Sequence, residues 1–144
     1  LAASWGVTVI GAAAPRDQDL VRSLGAVPVT YGDGLADRVR RVVESVDAVA
    51  DAAGKGGLAD AIALARGPAR VMTLADQHAA DLGVAFSVGT PDRAPEALDQ
   101  TMRLLATGNL RIRRERQLPM EQAAEAHRLL ENGDIHEKLV LDAH

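Results

Sequence analysis

The sequence predicts an α/β fold in which helices cover both faces of a parallel sheet. Short runs of Val, Leu, Ile and Ala alternate along the chain with amphipathic helical patterns. Most of these runs are too uniformly apolar to be strands with one face in water, which is typical of parallel strands buried on both sides. The length of 144 residues suits one domain with an appended segment.

The first part of the chain is predicted to hold five strands and the helices between them. The strands are expected at residues 7–11, 27–31, 46–51, 69–75 and 84–88. Pro15 is expected to open the first helix and Gly25 to end it, because proline suits a first helical turn and glycine a helix end. Asp33 is expected to cap the second helix. The third spans Leu58 to Leu64, and the long last one follows a cap at Thr90 and ends at Gly108.

The start of the chain lacks a feature that dinucleotide-binding folds normally have. Residues 1–6 are predicted to end a helix, and a buried strand follows at 7–11 with no glycine-rich turn before it. Such a turn and its helix N-terminus bind the pyrophosphate. We therefore expect a doubly wound sheet without its first strand and glycine-rich loop, and no significant turnover by this chain alone. In the strand order 3-2-1-4-5-6 that strand would lie between 7–11 and 46–51, and its loss would divide the sheet and leave buried backbone groups unpaired. We therefore expect that preceding residues of a longer chain fill the gap, or that the two strands close up or pair with another chain.

The last part of the chain is predicted to form a strand-helix-strand segment. It comprises an extended stretch at 110–117, a helix at 119–131 that stops at Asn132-Gly133, and a strand at 138–141. The predicted boundary follows Gly108 and divides the chain into residues 1–108 and 109–144.

Composition argues against several classes of function. The net charge is −4, and the basic residues are not clustered as a nucleic-acid surface requires. The one basic run, which is interpreted as a charged edge strand, contains Arg111, Arg113, Arg114 and Arg116. No apolar stretch approaches a membrane span. The chain has no cysteine, which fits a reducing compartment such as the cytoplasm, and its histidines lack metal-ligand spacing, so no metal site is predicted.

One motif admits two interpretations. Residues 54–59 read GKGGLA, a match to the GxGxxA dinucleotide pattern between a strand and a helix, and Asp76 follows where a ribose-binding acid would lie. Glycines are also common in such turns for steric reasons, and Asp76 equally suits a helix cap.

Five segments in order along the chain resemble the zinc-free quinone oxidoreductase branch of the medium-chain dehydrogenases/reductases. They are WGVTVIG at 5–11, VRSLGA at 21–26, YGDG at 31–34, VDAVAD at 46–51 and EQAAEAHRLL at 121–130. The resemblance implies that residues 1–108 form part of a Rossmann cofactor-binding domain whose phosphate loop lies one helix before Trp5. It also implies that residues 109–144 return to an N-terminal catalytic domain.

The resemblance further implies an activity and its participants. It implies hydride transfer from NADP(H) to a quinone or a conjugated enone or enoyl substrate, without a metal, and a homodimer formed through the strand at Val84 to Val88. The Gly54 turn would then approach the nicotinamide rather than the pyrophosphate. Two alternatives remain: a zinc-dependent alcohol dehydrogenase with ligands outside this chain, and a non-catalytic nucleotide-binding or dimerisation module.

The candidate cofactor-binding residues follow the predicted strands. A 2′-phosphate is repelled by an acid and attracted by arginine, so small residues followed by an arginine after the first strand favour NADP(H) over NAD. These residues are Gly11, Ala12, Ala13, Ala14 and Arg16. By resemblance, Tyr31 would contact the adenosine end. The turns after the next strands would act mainly through their backbone, and they contain Ala52, Ala53, Gly54, Thr73, Leu74 and Ala75.

Overall fold

A computed structural model describes residues 1–89, 94–112, 115–133, 135 and 137–143 of the chain. The chain forms two compact units, Leu1–Pro95 and Glu96–His144. The domain boundary after Gly108 stays a prediction. None of the helices that the structure describes is long and apolar enough to cross a bilayer.

The first unit contains two parallel sheets and three α-helices. The strands are β1 (Ile10–Ala13), β2 (Val27–Thr30), β3 (Val49–Asp51), β4 (Val71–Thr73) and β5 (Ala85–Phe86). The helices are α1 (Gln18–Ser23), α2 (Leu35–Arg40) and α3 (Leu58–Ala65). Short 3-10 helices occur at Ala2–Trp5, Pro15–Asp17, Pro68–Arg70 and Gln77–Ala79. The predicted order of strands and helices is confirmed.

The two sheets divide the strands as the sequence predicts. Strand β1 pairs with β2, and β3, β4 and β5 form a second sheet in that order, with all pairs parallel. Within the described residues β1 does not pair with β3, so the alternative in which these two strands close up is wrong. Filling of the gap by preceding residues, or pairing with another chain, stays a prediction.

The core of the first unit lies between α3 and the second sheet. Leu58, Ala61 and Ala65 are buried and occupy one face of α3. They share a cluster with Val71 of β4 and with Val84. The spacing of these apolar residues is the helical period that predicted α3, and the Arg66-Gly67-Pro68 break ends the helix where expected.

The strands of the first unit are shorter than the apolar runs that predicted them. The run at 7–11 becomes a strand only at Ile10 and extends to Ala13, and Val7 is 53% exposed, so the prediction of a buried strand at 7–11 is wrong at its start. The partner strand β2 begins at Val27, which lies opposite Ile10 and donates its N–H to the carbonyl oxygen of Val9 at 2.8 Å. An apolar run marks where a strand lies, but hydrogen bonding to a neighbour sets its ends.

The predicted cap at Asp33 is wrong. Helix α2 begins at Leu35 after Gly34, and no side-chain cap hydrogen bond is present there. The carbonyl oxygen of Asp33 instead accepts a hydrogen bond from Arg38, which holds the turn from the helix side. The predicted cap at Thr90 lies outside the described residues.

The second unit contains α4 (Glu96–Ala106), β6 (Glu115–Pro119), α5 (Ala123–Glu131) and β7 (Lys138–Asp142). A 3-10 turn at Met120–Gln122 precedes α5. Strands β6 and β7 are parallel and are linked by an ion pair of 3.4 Å between Glu115 Oε1 and Lys138 Nζ. The strand-helix-strand prediction is confirmed, although residues 110–112 are not in a strand. The predicted helix start at Pro119 is wrong, because this proline ends β6 and α5 begins at Ala123. Arg113 and Arg114 of the predicted basic run lie outside the described residues.

Candidate functional site

The candidate residues lie in two groups at the carboxyl ends of the strands of the first unit. Gly11, Ala12 and Ala13 belong to β1, Ala14 and Arg16 follow it directly, and Tyr31 follows β2. Ala52, Ala53 and Gly54 follow β3, whereas Thr73 ends β4 and is followed by Leu74 and Ala75. Carboxyl ends of parallel strands are where open α/β sheets bind ligands.

Gly11 allows α1 to pack closely against β1. A Cβ atom on Gly11 would lie 2.6 Å from Cγ1 of Val21, which is shorter than any stable contact between two carbons. Ala12 is exposed at this edge and Ala14 is buried. The side chains at this end of β1 are therefore small, and their role in binding a cofactor stays a prediction.

Gln18 connects the ends of β1 and β2. Its Nε2 atom donates to the carbonyl oxygens of Ala13 at 2.9 Å, Ala14 at 3.3 Å and Val29 at 3.1 Å. These carbonyl groups are next to the candidate residues, so Gln18 holds the backbone on which Arg16 is mounted. The sequence analysis did not identify Gln18.

Arg16 extends from the short 3-10 helix after β1. Its side chain is 63% exposed, and its Nε atom lies 3.8 Å from Oδ2 of Asp17. A contact of that length between exposed groups is weak, so the guanidinium remains available to an anion.

Arg38 holds the turn that contains Tyr31. Its guanidinium donates to the carbonyl oxygens of Thr30 at 2.8 Å, Tyr31 at 3.3 Å, Gly32 at 2.9 Å and Asp33 at 2.8 Å. Arginine has a rigid fork of donors, which suits this set of acceptors. These hydrogen bonds fix the turn and engage all three guanidinium nitrogens of Arg38. The Tyr31 side chain stays exposed.

A hydrogen-bonded network joins the turns after β3 and β4. Oδ1 of Asp51 accepts from the backbone N–H of Ala53 at 3.0 Å, and both carboxylate oxygens accept from that of Gly54 at 3.2 and 3.3 Å. The hydroxyl of Thr73 donates to Asp51 Oδ2 at 2.7 Å. The same hydroxyl oxygen accepts from the N–H groups of Ala75 at 3.1 Å and Asp76 at 3.0 Å.

The two turns also touch directly. A Cβ atom on Gly54 would lie 2.7 Å from the carbonyl carbon and 2.8 Å from the carbonyl oxygen of Ala75. Gly54 has a φ of +60°, a conformation that favours glycine. The second glycine of the motif, Gly56, also has a positive φ but faces open space.

Asp76 is a helix cap, which decides between the two interpretations of this residue. It is buried, and its Oδ1 accepts from the backbone N–H of His78 at 3.0 Å and lies 3.1 Å from Nδ1 of the same residue. The carboxylate is therefore engaged within its own turn, as the cap interpretation predicts.

The carboxyl group of Asp51 is held in its charged form. Burial alone would raise its pKa, but hydrogen bonds from Thr73, Ala53 and Gly54 favour the carboxylate, and the pKa is lowered on balance. The sequence signal for this role is an aspartate followed by small residues and glycine, the pattern of a turn in which the side chain bonds to the following backbone.

Asp51→Asn is expected to reduce stability at neutral pH by on the order of 1 kcal/mol, because an amide cannot accept all of these hydrogen bonds. A carboxyl group whose pKa is lower in the folded than in the unfolded state contributes its full stabilisation at pH values above the unfolded-state pKa. This contribution is lost as the pH falls through the folded-state pKa. The difference between the wild type and the variant should therefore shrink in acid. Thermal melting from pH 7 down to about pH 3 measures it, and a difference that does not change with pH would contradict the assignment.

The sequence was then compared with known proteins. Residues 24–141 match the family described as zinc-binding dehydrogenase. The chain belongs to this family, within the medium-chain dehydrogenase/reductase superfamily. A search of the curated proteins gave no significant match.

Solved structures with the same fold include members of this superfamily. A quinone oxidoreductase from Pseudomonas syringae pv. Tomato DC3000 has a TM-score of 0.73 at 19% identity over 99% of this chain and 51% of its own. The JamJ enoyl reductase has a TM-score of 0.71 at 15% identity over 97% and 48%. CurA from Vibrio vulnificus, solved with NADPH, has a TM-score of 0.54 at 16% identity over 96% and 49%.

These likenesses show the fold. The chain spans about half the length of the structures that it matches. The predicted doubly wound fold and superfamily are confirmed, and the chain is that of an oxidoreductase family. Within the part of the chain that the structure describes, no group of three or more His, Cys, Asp or Glu side chains could hold a metal ion.

Proposed function

We propose that this chain is the cofactor-binding half of a cytoplasmic, NADP(H)-dependent oxidoreductase that transfers a hydride to a quinone or a conjugated enone or enoyl substrate. The observation that carries the cofactor choice is Arg16, an exposed guanidinium directly after a strand that ends in small residues. An acid at this place would favour NAD, whereas an arginine favours the 2′-phosphate of NADP.

The surroundings of Arg16 support this choice. Arg38 is held by four backbone carbonyl groups, whereas the ion pair between Arg16 and Asp17 is long. Gln18 fixes the backbone before Arg16, so the guanidinium is mounted on a rigid edge and only its own side chain must be ordered on binding. Tyr31, after the neighbouring strand, presents an exposed ring for an adenine or ribose.

The second group of residues supports binding of the nicotinamide end. Ala52, Ala53 and Gly54 on one turn, and Thr73, Leu74 and Ala75 on the next, form an edge of small residues and backbone at the ends of β3 and β4. The bound cofactor would supply the hydride, and these residues would orient the ring. The NADPH in the structure of CurA and the quinone and enoyl reductases of the same fold are consistent with this role.

The proposal is tested with the full-length natural protein. Calorimetric titration with NADPH and with NADH should show that the protein binds NADPH more tightly. In a separate assay, the protein should consume NADPH when a quinone or an enone is added as the acceptor. Preference for NADH would overturn the cofactor choice. Binding of NADPH without turnover on either class of acceptor would favour the non-catalytic nucleotide-binding module.

The family description favours one alternative activity. A zinc-dependent alcohol dehydrogenase would place its metal ligands outside the residues that the structure describes. Metal analysis of the purified full-length protein distinguishes the two activities, because stoichiometric zinc that is needed for alcohol oxidation would favour this alternative.

We further propose a homodimer formed through residues 84–88. Strand β5 lies at the end of its sheet, and Val88 beside it is 74% exposed. An unpaired strand edge with an apolar side chain is a template for pairing with a second copy. Val88→Lys is expected to shift the full-length protein from dimer to monomer in light scattering. Val42→Lys, a lysine at another exposed valine, is the control and should leave the dimer intact.

A further inference from the structure

The network around Asp51 and Thr73 determines which backbone groups the two turns can offer to a ligand. The N–H groups of Ala53 and Gly54 donate to the Asp51 carboxylate, and those of Ala75 and Asp76 donate to the Thr73 hydroxyl. The N–H of Leu74 donates to the carbonyl oxygen of Asp51 at 2.8 Å. These five N–H groups are therefore committed within the protein.

Peptide geometry then fixes the direction of the carbonyl groups. In a planar trans peptide, the C=O of one residue points opposite to the N–H of the next, and no cis peptide bond is present in the described residues. The carbonyl groups of Ala52, Ala53 and Leu74 therefore point away from the committed N–H groups that follow them. All three belong to exposed residues, whereas Thr73 is completely buried.

We propose that Asp51 and Thr73 are positioning residues that turn these N–H groups inward, so that the carbonyl groups of Ala52, Ala53 and Leu74 are presented to a hydrogen-bond donor. The inference rests on the proposed function, in which the donor is the primary carboxamide of the nicotinamide. It also argues against a phosphate loop at 54–59, because the N–H of Gly54 at the start of this stretch donates to Asp51.

The test uses NADP⁺ and its 3-acetylpyridine analogue, in which a methyl ketone replaces the carboxamide and no N–H donor remains. The full-length wild type should bind NADP⁺ about 2- to 10-fold more tightly than the analogue, the effect of one neutral hydrogen bond. Thr73→Val and Asp51→Asn should lose this preference. Thr73→Ser keeps the hydroxyl and should retain it.

Each other outcome counts against a defined claim. Equal binding of the two cofactors by the wild type overturns the proposed role of this edge and leaves the proposed function standing. An unchanged preference in Thr73→Val also overturns it, since a merely structural pair would weaken both cofactors equally. If Thr73→Val does not fold, Asp51→Asn provides the same comparison. Binding of neither cofactor overturns the proposed function, and this role with it.

Discussion

Replacing Arg16 with alanine is expected to weaken NADPH binding to the full-length protein by on the order of 10- to 100-fold. A hydrogen bond to a charged group contributes about 1.5–3 kcal/mol, and each 1.4 kcal/mol corresponds to about a tenfold change in affinity. NADH lacks the 2′-phosphate, so its affinity should not change. Calorimetric titration of each cofactor into the wild type and the variant measures how much the substitution changes the affinity for NADPH and for NADH.

Arg22→Ala is the matched control for this experiment. The side chains of Arg22 and Arg16 are 60% and 63% exposed, but Arg22 forms an ion pair with Asp19 within α1. Removing Arg22 changes the net charge by the same amount and should leave the preference for NADPH intact. Equal loss of NADPH and NADH affinity in Arg16→Ala would instead indicate a structural role for Arg16.

The elements that the sequence predicted best are those that depend on local signals. Helix α3 combines an apolar face at helical spacing with a break at Arg66-Gly67-Pro68, and the structure places it at Leu58–Ala65. The end of α5 at Glu131, before Asn132-Gly133, has the same origin. Strand ends were predicted less well, because they depend on the partner strand: β1 starts at Ile10, where Val27 lies opposite.

Of the residues that hold the candidate site, the sequence analysis named only Thr73, and it named that residue for contact with the cofactor. Asp51 reaches Thr73 across 22 positions of sequence, and no local pattern shows that the two strands are neighbours. Gln18 and Arg38 bind backbone carbonyl groups, which occur at every position and leave no signal. The candidate ligand residues could be proposed because strand ends are predictable, whereas the side chains that fix those ends are a property of the tertiary structure.

Gly54→Ala is expected to destabilise the chain by about 2–5 kcal/mol. Alanine at a left-handed φ costs about 1–2 kcal/mol, and an atom forced into a packed site costs about 1–3 kcal/mol more. The new Cβ would meet the carbonyl carbon of Ala75 at 2.7 Å, and backbone cannot move aside as a flexible side chain can. The two turns would have to separate, which also strains the hydrogen bonds from Gly54 to Asp51.

Gly56→Ala separates the two causes. Gly56 has a φ of +76°, but nothing lies within 4 Å of its Cβ position, so this variant pays only the conformational cost of about 1–2 kcal/mol. Urea unfolding of both variants should therefore show a larger loss for Gly54→Ala. The difference between the two losses in unfolding free energy is the cost of placing a Cβ atom where the two turns touch. Equal losses would mean that the turns can separate at no cost, and the edge formed by Ala52, Ala53 and Leu74 would then not be rigid enough to orient a nicotinamide ring.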